Sequence, residues 1–161
     1  STTVICSDKT GTLTKNEMTA VALWLPAADE AHREIVVGGI GYAPVGALTE
    51  QGRPVPADDA ALQALLAAAA LCNDAELLPP EDERAAWTVL GDPTEGALLV
   101  LGHKAGLLHA HTAAAWPRVD SIPFESQHRF MATAHRDDEG APWIFAKGAP
   151  EKMIEVSTHE Y

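Results

Sequence analysis

The stretch "RFMATAHRDDEGAPWIFAKGAPEKMIEV", residues 129–156, holds two alternating runs, "RFMATAHR" and "PWIFAK", on either side of "DDEG". Alternation with a period of two puts one set of side chains on each face of an extended strand, and the Asp/Gly-rich link returns the chain antiparallel. Pro150 stands where a helix tolerates a missing N–H, so "PEKMIEV" reads as a helix. A hairpin and a helix, among elements that show no regular strand–helix period, predict an α+β fold: an antiparallel β-sheet flanked by helices.

Working outward, "RVDSIPF" (118–124) opens the same β-rich stretch. Upstream, "GDPTEGALLVLGHKAG" (91–106) has Asp92 at an N-cap, Pro93 at the first helical position and Glu95 at the third, a capping-box arrangement closed by Gly106. A short strand, "AWTVLG" (86–91), leads into it. The segment "DDAALQALLAAAALCNDAEL" (58–77) is the clearest helix, capped by Asp58 or Asp59, with Leu62, Leu65, Leu66, Ala69 and Cys72 on one face. Residues 38–56 are rich in Gly and Pro and read as turns and short strand pieces anchored by Tyr42. "EMTAVALWLPA" (17–27) reads as extended, and the apolar run "TTVICS" (2–7) as a buried strand.

The 161 residues fit one ordinary domain, and 47% of them are apolar, enough for a core without disulfides or metal. The formal charge of −12 argues against nucleic acid and anionic membranes as partners. The two cysteines, Cys6 and Cys72, both in apolar contexts, read as buried free thiols of a reducing compartment. The longest apolar stretch is too short and alanine-rich to span a bilayer, and no signal peptide is visible, so a soluble cytoplasmic piece is expected.

Four motifs carry chemistry. In "SDKTGTLTK" (7–15), Asp8 ends the apolar run and precedes a glycine-containing turn, a setting suited to attack on a phosphoryl group and an aspartyl-phosphate. Position 10, where a hydrolase would place a general acid/base carboxylate, is Thr10, which cannot serve that purpose at neutral pH. In "GDPTEGALL" (91–99), Glu95 completes the capping box on this reading. In "SIPFESQHRFMAT" (121–133), Phe124 follows a proline and precedes Arg129 by five positions; a base needs a π-face and phosphates need a cation. Phenylalanine in a strand is more often plain core. In "FAKGAPE" (145–151), Lys147 sits at a strand end, where a solvated surface lysine is the ordinary outcome, and Gly148 would let a ligand approach the main chain. His103, His109 and His111 lie close in sequence without a partner at zinc-ligand spacing, and read as solvated. The acidic runs "EDER" and "RDDE" read as solvated loop tips.

"DKTGTLT" (8–14) resembles the phosphorylation signature of P-type ATPases, and "GDPTEGA", "FAKGAPE", "GIGYAPVGAL" (39–48) and "LCNDAEL" (71–77) resemble further strings of that family in the right order. The likeness is to the type II, calcium-type branch in its bacterial form, and it implies an ATP-binding domain. Carried over, Asp8 is the phosphorylated nucleophile with Lys9 and Thr10 beside it, and Asp8 and Thr10 hold Mg²⁺ in the full-length parent. Thr94, Glu95, Phe124, Ser126, Arg129, Lys147 and Gly148 become nucleotide contacts, with Thr94 and Glu95 at adenine or its amine and Phe124 stacked on the base. Arg129 stands where the family usually has Lys, and Ser126 where animal sarcoplasmic reticulum-type pumps have Arg.

The resemblance implies residues 1–16 as the first strand and phosphorylation loop of the phosphorylation (P) domain. Residues 17–161 are then a nucleotide-binding (N) domain that stops before its last strand. The implied partners are ATP or ADP and the remaining phosphorylation, actuator and transmembrane domains of a pump, with this soluble piece on the cytoplasmic face. The parent is expected to transfer the γ-phosphoryl of ATP to Asp8 and to move a cation, calcium by likeness. The chain itself is expected to bind nucleotide without appreciable turnover. Two other readings stay open here: a haloacid-dehalogenase-like phosphatase or phosphotransferase acting through Asp8, and a non-catalytic nucleotide-sensing module.

Overall fold

A computed structural model describes residues 3–4, 6–7, 14–27, 32–82 and 85–158. Its elements run β1 (Ala22–Pro26), β2 (His32–Val37), β3 (Leu48–Glu50), β4 (Arg53–Pro54), α1 (Ala60–Leu71), β5 (Glu76–Leu78), β6 (Thr88–Leu90), α2 (Pro93–Lys104), α3 (His109–Ala115), β7 (Arg118–Ile122), β8 (Phe130–Arg136), β9 (Pro142–Gly148) and α4 (Pro150–Val156). Every strand pairing is antiparallel, so the class is α+β as expected. Among the described residues the strands form three sheets: β1-β2-β3-β4, the pair β5-β6, and β7-β8-β9.

The main core lies between the first sheet and α1. Leu23 and Leu25 from β1, Ile35 and Val37 from β2, and Leu48 from β3 meet Leu62 and Leu66 of α1 and Leu101 of α2. The alternation is strict: on β1 the buried Leu23 and Leu25 flank the exposed Trp24. Helix α1 begins at Asp59, whose carboxylate accepts from the Leu62 N–H and binds Arg33 of β2 at 2.8 Å. Arg33 also grips Glu50 of β3 through two bonds, so one guanidinium ties two strands to the helix start.

Helix α2 closes with a Schellman turn. Gly106 takes a left-handed φ of +81°, the Leu107 N–H donates to Gly102 O, and the Gly106 N–H donates to His103 O. At its start the Asp92 carboxylate accepts from the Thr94 and Glu95 N–H groups, as the sequence predicts.

The hairpin β8–β9 is in the expected place, and Asp137 organises its loop. Its carboxylate accepts from the Glu139 and Ala141 N–H groups and from Trp143 Nε1, so it is not merely a solvated loop tip. Strand β7 carries one extra residue: Arg118 faces His135 and Asp120 faces Ala134, leaving Val119 as a bulge. The bulge turns Arg118 to the same face as Ser121, Thr133 and His135, against simple alternation.

Several expectations fail. Of the expected strand at residues 2–7, Thr3, Val4, Cys6 and Ser7 are described and none is in a strand; Val4 is 73% exposed and Cys6 is exposed, not buried. A strand holds only against a neighbour, and no described element pairs with this one. The sequence predicts no strand at β2 or β5, no helix at α3, and a helix through residue 77 where α1 ends at Leu71 and β5 follows. Strand β2 begins inside the charged run "DEAHRE", β5 is three residues long, and α3 lacks a side-chain cap, so none leaves a clear periodic signal.

Candidate functional site

One cavity, of about 850 Å³, opens between the start of α2, the β7–β8 loop and the end of β9; Asp74, Thr94, Glu95, Phe124, Arg129 and Lys147 are among its lining residues. Of the seven nucleotide contacts that the sequence suggests, Thr94, Glu95, Phe124, Arg129, Lys147 and Gly148 line it. Ser126 lies in the exposed turn beyond Phe124 and is not part of the wall. Asp8, Lys9 and Thr10 lie outside the described residues.

Each side chain has a local reason for its position. Lys147 pairs with Met131 across β8–β9 and shares its face with Phe145 and Trp143. That face packs on the C-terminal end of α1, where Thr133 Oγ1 donates to Leu71 O. A lysine there meets helix carbonyls at the negative end of the helix dipole. Its ammonium donates to Cys72 O and, at 2.5 Å, to Glu95 Oε1. Only 26% of the Lys147 side chain and 13% of that of Glu95 are exposed, so this is not the solvated surface lysine that is the usual outcome.

Glu95 therefore does not close a capping box. Its carboxylate faces Lys147 and accepts from the Asp74 N–H, because the ammonium offers a stronger, charge-assisted bond than the Asp92 N–H would. Asp92 caps alone, and its carboxyl lies below the ordinary range. Partial burial pushes it the other way, but hydrogen bonds from the Thr94 hydroxyl and from the Glu95 and Thr94 N–H groups outweigh burial.

Sequence reading missed the frame behind this pair. Asn73 is buried; its amide donates to Ala69 O and Glu95 O, and its Oδ1 accepts from the Ala75 N–H. It joins the last turn of α1 to the first turn of α2. Arg118, aimed inward by the bulge, donates to Leu71 O, Asn73 O and Asp74 Oδ1. The three strands β7, β8 and β9 thus each send one side chain to the end of α1. The bulge hides this in the sequence. Cys72, at the same helix end, donates to Met131 O, and burial pushes its thiol pKa up.

Phe124 is not core. It is 59% exposed, in the loop after β7 and beside Pro123 at the cavity wall. Arg129 sits just before β8 with a left-handed φ of 58°, and its Nη1 lies 2.5 Å from Glu151 of α4. Gln127 and His128 both turn to the Glu125 carboxylate. Gly148 has a reason other than ligand approach: a Cβ there would stand 2.5 Å from Arg129 O and 2.6 Å from Phe130 Cβ, so glycine lets β9 lie against β8.

Chemically, the cavity offers an accessible aromatic ring and hydrogen-bond acceptors on one side, with two cations that already face carboxylates. Asp74, Asp92 and Glu95 outnumber Arg129 and Lys147 along the wall. Among the described residues, no three His, Cys, Asp or Glu side chains gather to hold a metal ion, and no helix is long and apolar enough to cross a membrane.

Comparison with known proteins agrees on one family. The family described as "P-type ATPase, cytoplasmic domain N" matches residues 61–160. Over 97% of its length the chain is 46% identical to the "Probable cation-transporting ATPase F" of Mycobacterium tuberculosis. It is 38% identical, over 96%, to the human "Calcium-transporting ATPase type 2C member 1", and 32% identical, over 98%, to the "Calcium-transporting ATPase" of Bacillus subtilis. The chain spans 16%, 16% and 17% of those three proteins respectively. The cavity-forming elements α2, β7, β8 and β9 all fall within the matched segment, and this chain belongs to the family of P-type ATPase cytoplasmic N domains.

Proposed function

We propose that the cavity binds an adenine nucleotide chiefly through its base, and that the chain is the nucleotide-binding domain of a cation pump. The reading rests on Phe124, whose ring is 59% exposed at a cavity that also gathers Thr94, Glu95, Arg129, Lys147 and Gly148. An exposed ring on a cavity wall offers a stacking face that a core phenylalanine does not. The Glu95 carboxylate and the Thr94 hydroxyl supply acceptors for an exocyclic amine. The phosphates meet little free positive charge, because Lys147 faces Glu95 and Arg129 faces Glu151. Binding is therefore weak, carried by the base, and independent of Mg²⁺.

In the longer protein, residues 1–16 belong to the phosphorylation domain and residues 17–161 to the nucleotide domain. The Asp8 carboxylate attacks the γ-phosphorus of ATP, forming an aspartyl-phosphate and releasing ADP, with Lys9 and Thr10 beside it; Asp8 and Thr10 would hold Mg²⁺, whose charge would offset that of the transferred oxygens. Coupling to cation movement, with calcium as the cation, follows the names of the Bacillus and human relatives. The chain alone turns over no appreciable ATP.

Calorimetric or NMR titration with AMP, ADP and ATP tests the site, repeated for Phe124→Ala and Lys147→Ala. Loss of one base–aromatic stack weakens binding by roughly 1–3 kcal/mol, to judge by alanine substitutions at other stacking sites. Unchanged affinity in both variants would refute the assignment of the cavity.

A further inference from the structure

We propose that Glu151 sets how strongly the site responds to the phosphates of its nucleotide, by competing with them for Arg129. This rests on the reading of the cavity as a nucleotide site. Arg129 is one of two cations among the described residues of the wall, and its Nη1 is 2.5 Å from Glu151 Oε1. Its backbone is held in place: the left-handed φ of 58° goes with the Arg129 N–H donating to Glu125 O and Arg129 O accepting from the Ala149 N–H. The latter bond joins the start of β8 to the residue that precedes α4, and Glu151 lies in the first turn of that helix.

Both side chains stay about half exposed, 52% for Arg129 and 61% for Glu151, so the pair opens at little energetic cost. A phosphate oxygen offers the guanidinium the same charge-assisted geometry as a carboxylate oxygen. The guanidinium has donors for both, but its charge is already met by Glu151, and the carboxylate repels a phosphate brought beside it, so the two anions compete. The other wall cation, Lys147, is more deeply buried and faces both Glu95 and Cys72 O, so Arg129 is the one that can be freed by a single change. With Glu151 present, the cavity discriminates weakly between adenosine, AMP and ADP; without its charge, preference rises with phosphate number.

Dissociation constants for adenosine, AMP and ADP are to be measured at low salt for the unmodified chain, Glu151→Gln, Glu155→Gln and Arg129→Gln/Glu151→Gln. Glu155 is on the same helix, pairs with Lys152 and is not part of the wall, so Glu155→Gln removes the same charge without releasing Arg129. The expected result is unchanged adenosine binding in Glu151→Gln and ADP binding tighter by up to about fivefold, the scale of an exposed ion pair. The gain should be absent from the double variant and clearly smaller in Glu155→Gln. An unchanged ADP-to-adenosine ratio in Glu151→Gln overturns the proposal, as does an equal gain in Glu155→Gln, which would mark a general charge effect. If adenosine does not bind the unmodified chain, the base-centred reading falls and this inference falls with it.

Discussion

Replacing Lys147 by Met removes the ammonium while keeping most of the aliphatic stem packed against α1 and β8. The loss strands Glu95, whose side chain is only 13% exposed, and takes a donor from Cys72 O. Breaking a fully buried pair by removing one partner costs about 3–5 kcal/mol, and a charge-assisted hydrogen bond contributes about 1.5–3 kcal/mol. Since 26% of Lys147 is exposed and Glu95 keeps a 3.3 Å bond from the Asp74 N–H, the loss falls at the lower end. We expect roughly 2–3 kcal/mol, equivalent to a fall of about 4–12 °C in Tm for a domain of this size. Adding Glu95→Gln removes the stranded charge, so the double variant should recover part of the loss, with a coupling on the order of 1–2 kcal/mol. Urea denaturation followed by tryptophan fluorescence, run on the complete cycle, reads each value. Strict additivity of the two single changes would refute the idea that Glu95 and Lys147 act as one desolvated unit.

Two further outcomes follow from other parts of the molecule. The Leu62 N–H holds the Asp59 carboxyl below the ordinary range, against the pull of burial and with help from Arg33. A depressed native pKa gives stability that is present above the unfolded carboxylate value, about 4, and is lost as pH falls through the lower native value. Asp59→Ala should therefore cost about 1 kcal/mol at pH 7 and progressively less in acid, and a pH-independent difference would contradict the cap. Thiol labelling of the native chain should modify the exposed Cys6 quickly and Cys72 only on unfolding, since burial raises the Cys72 pKa and removes access. Rapid modification of both thiols in the folded protein would contradict the packing of Cys72 under β8.

The parts that local chemistry dictates were legible in the sequence. Asp59, Asp92, Pro93 and Gly106 announce the limits of α1 and α2 because caps are short-range, and "DDEG" announces its hairpin for the same reason. Six of the seven expected contact residues meet at one cavity because their motifs end strands or begin a helix that converge there. What escaped is long-range. The partner of Glu95 is 52 residues away, which turned an expected capping box into an ion pair. The division into three sheets depends on which strands find neighbours, and single-strand periodicity carries no such information. Asn73 lies in the stretch that reads as a helix, and its bonds to Ala69 of α1 and Glu95 of α2 become visible only once those helices are packed.

The extra residue in β7 makes length changes unequal at this point of the chain. Removing Val119 would leave Arg118 opposite His135 in an unbroken ladder, its guanidinium still over the end of α1. Adding a residue there would need a second bulge, or the arginine would turn to solvent and release Leu71 O and Asn73 O together. Chains one residue shorter here can thus keep the same closure of the helix end, whereas chains one residue longer must find another way to make it.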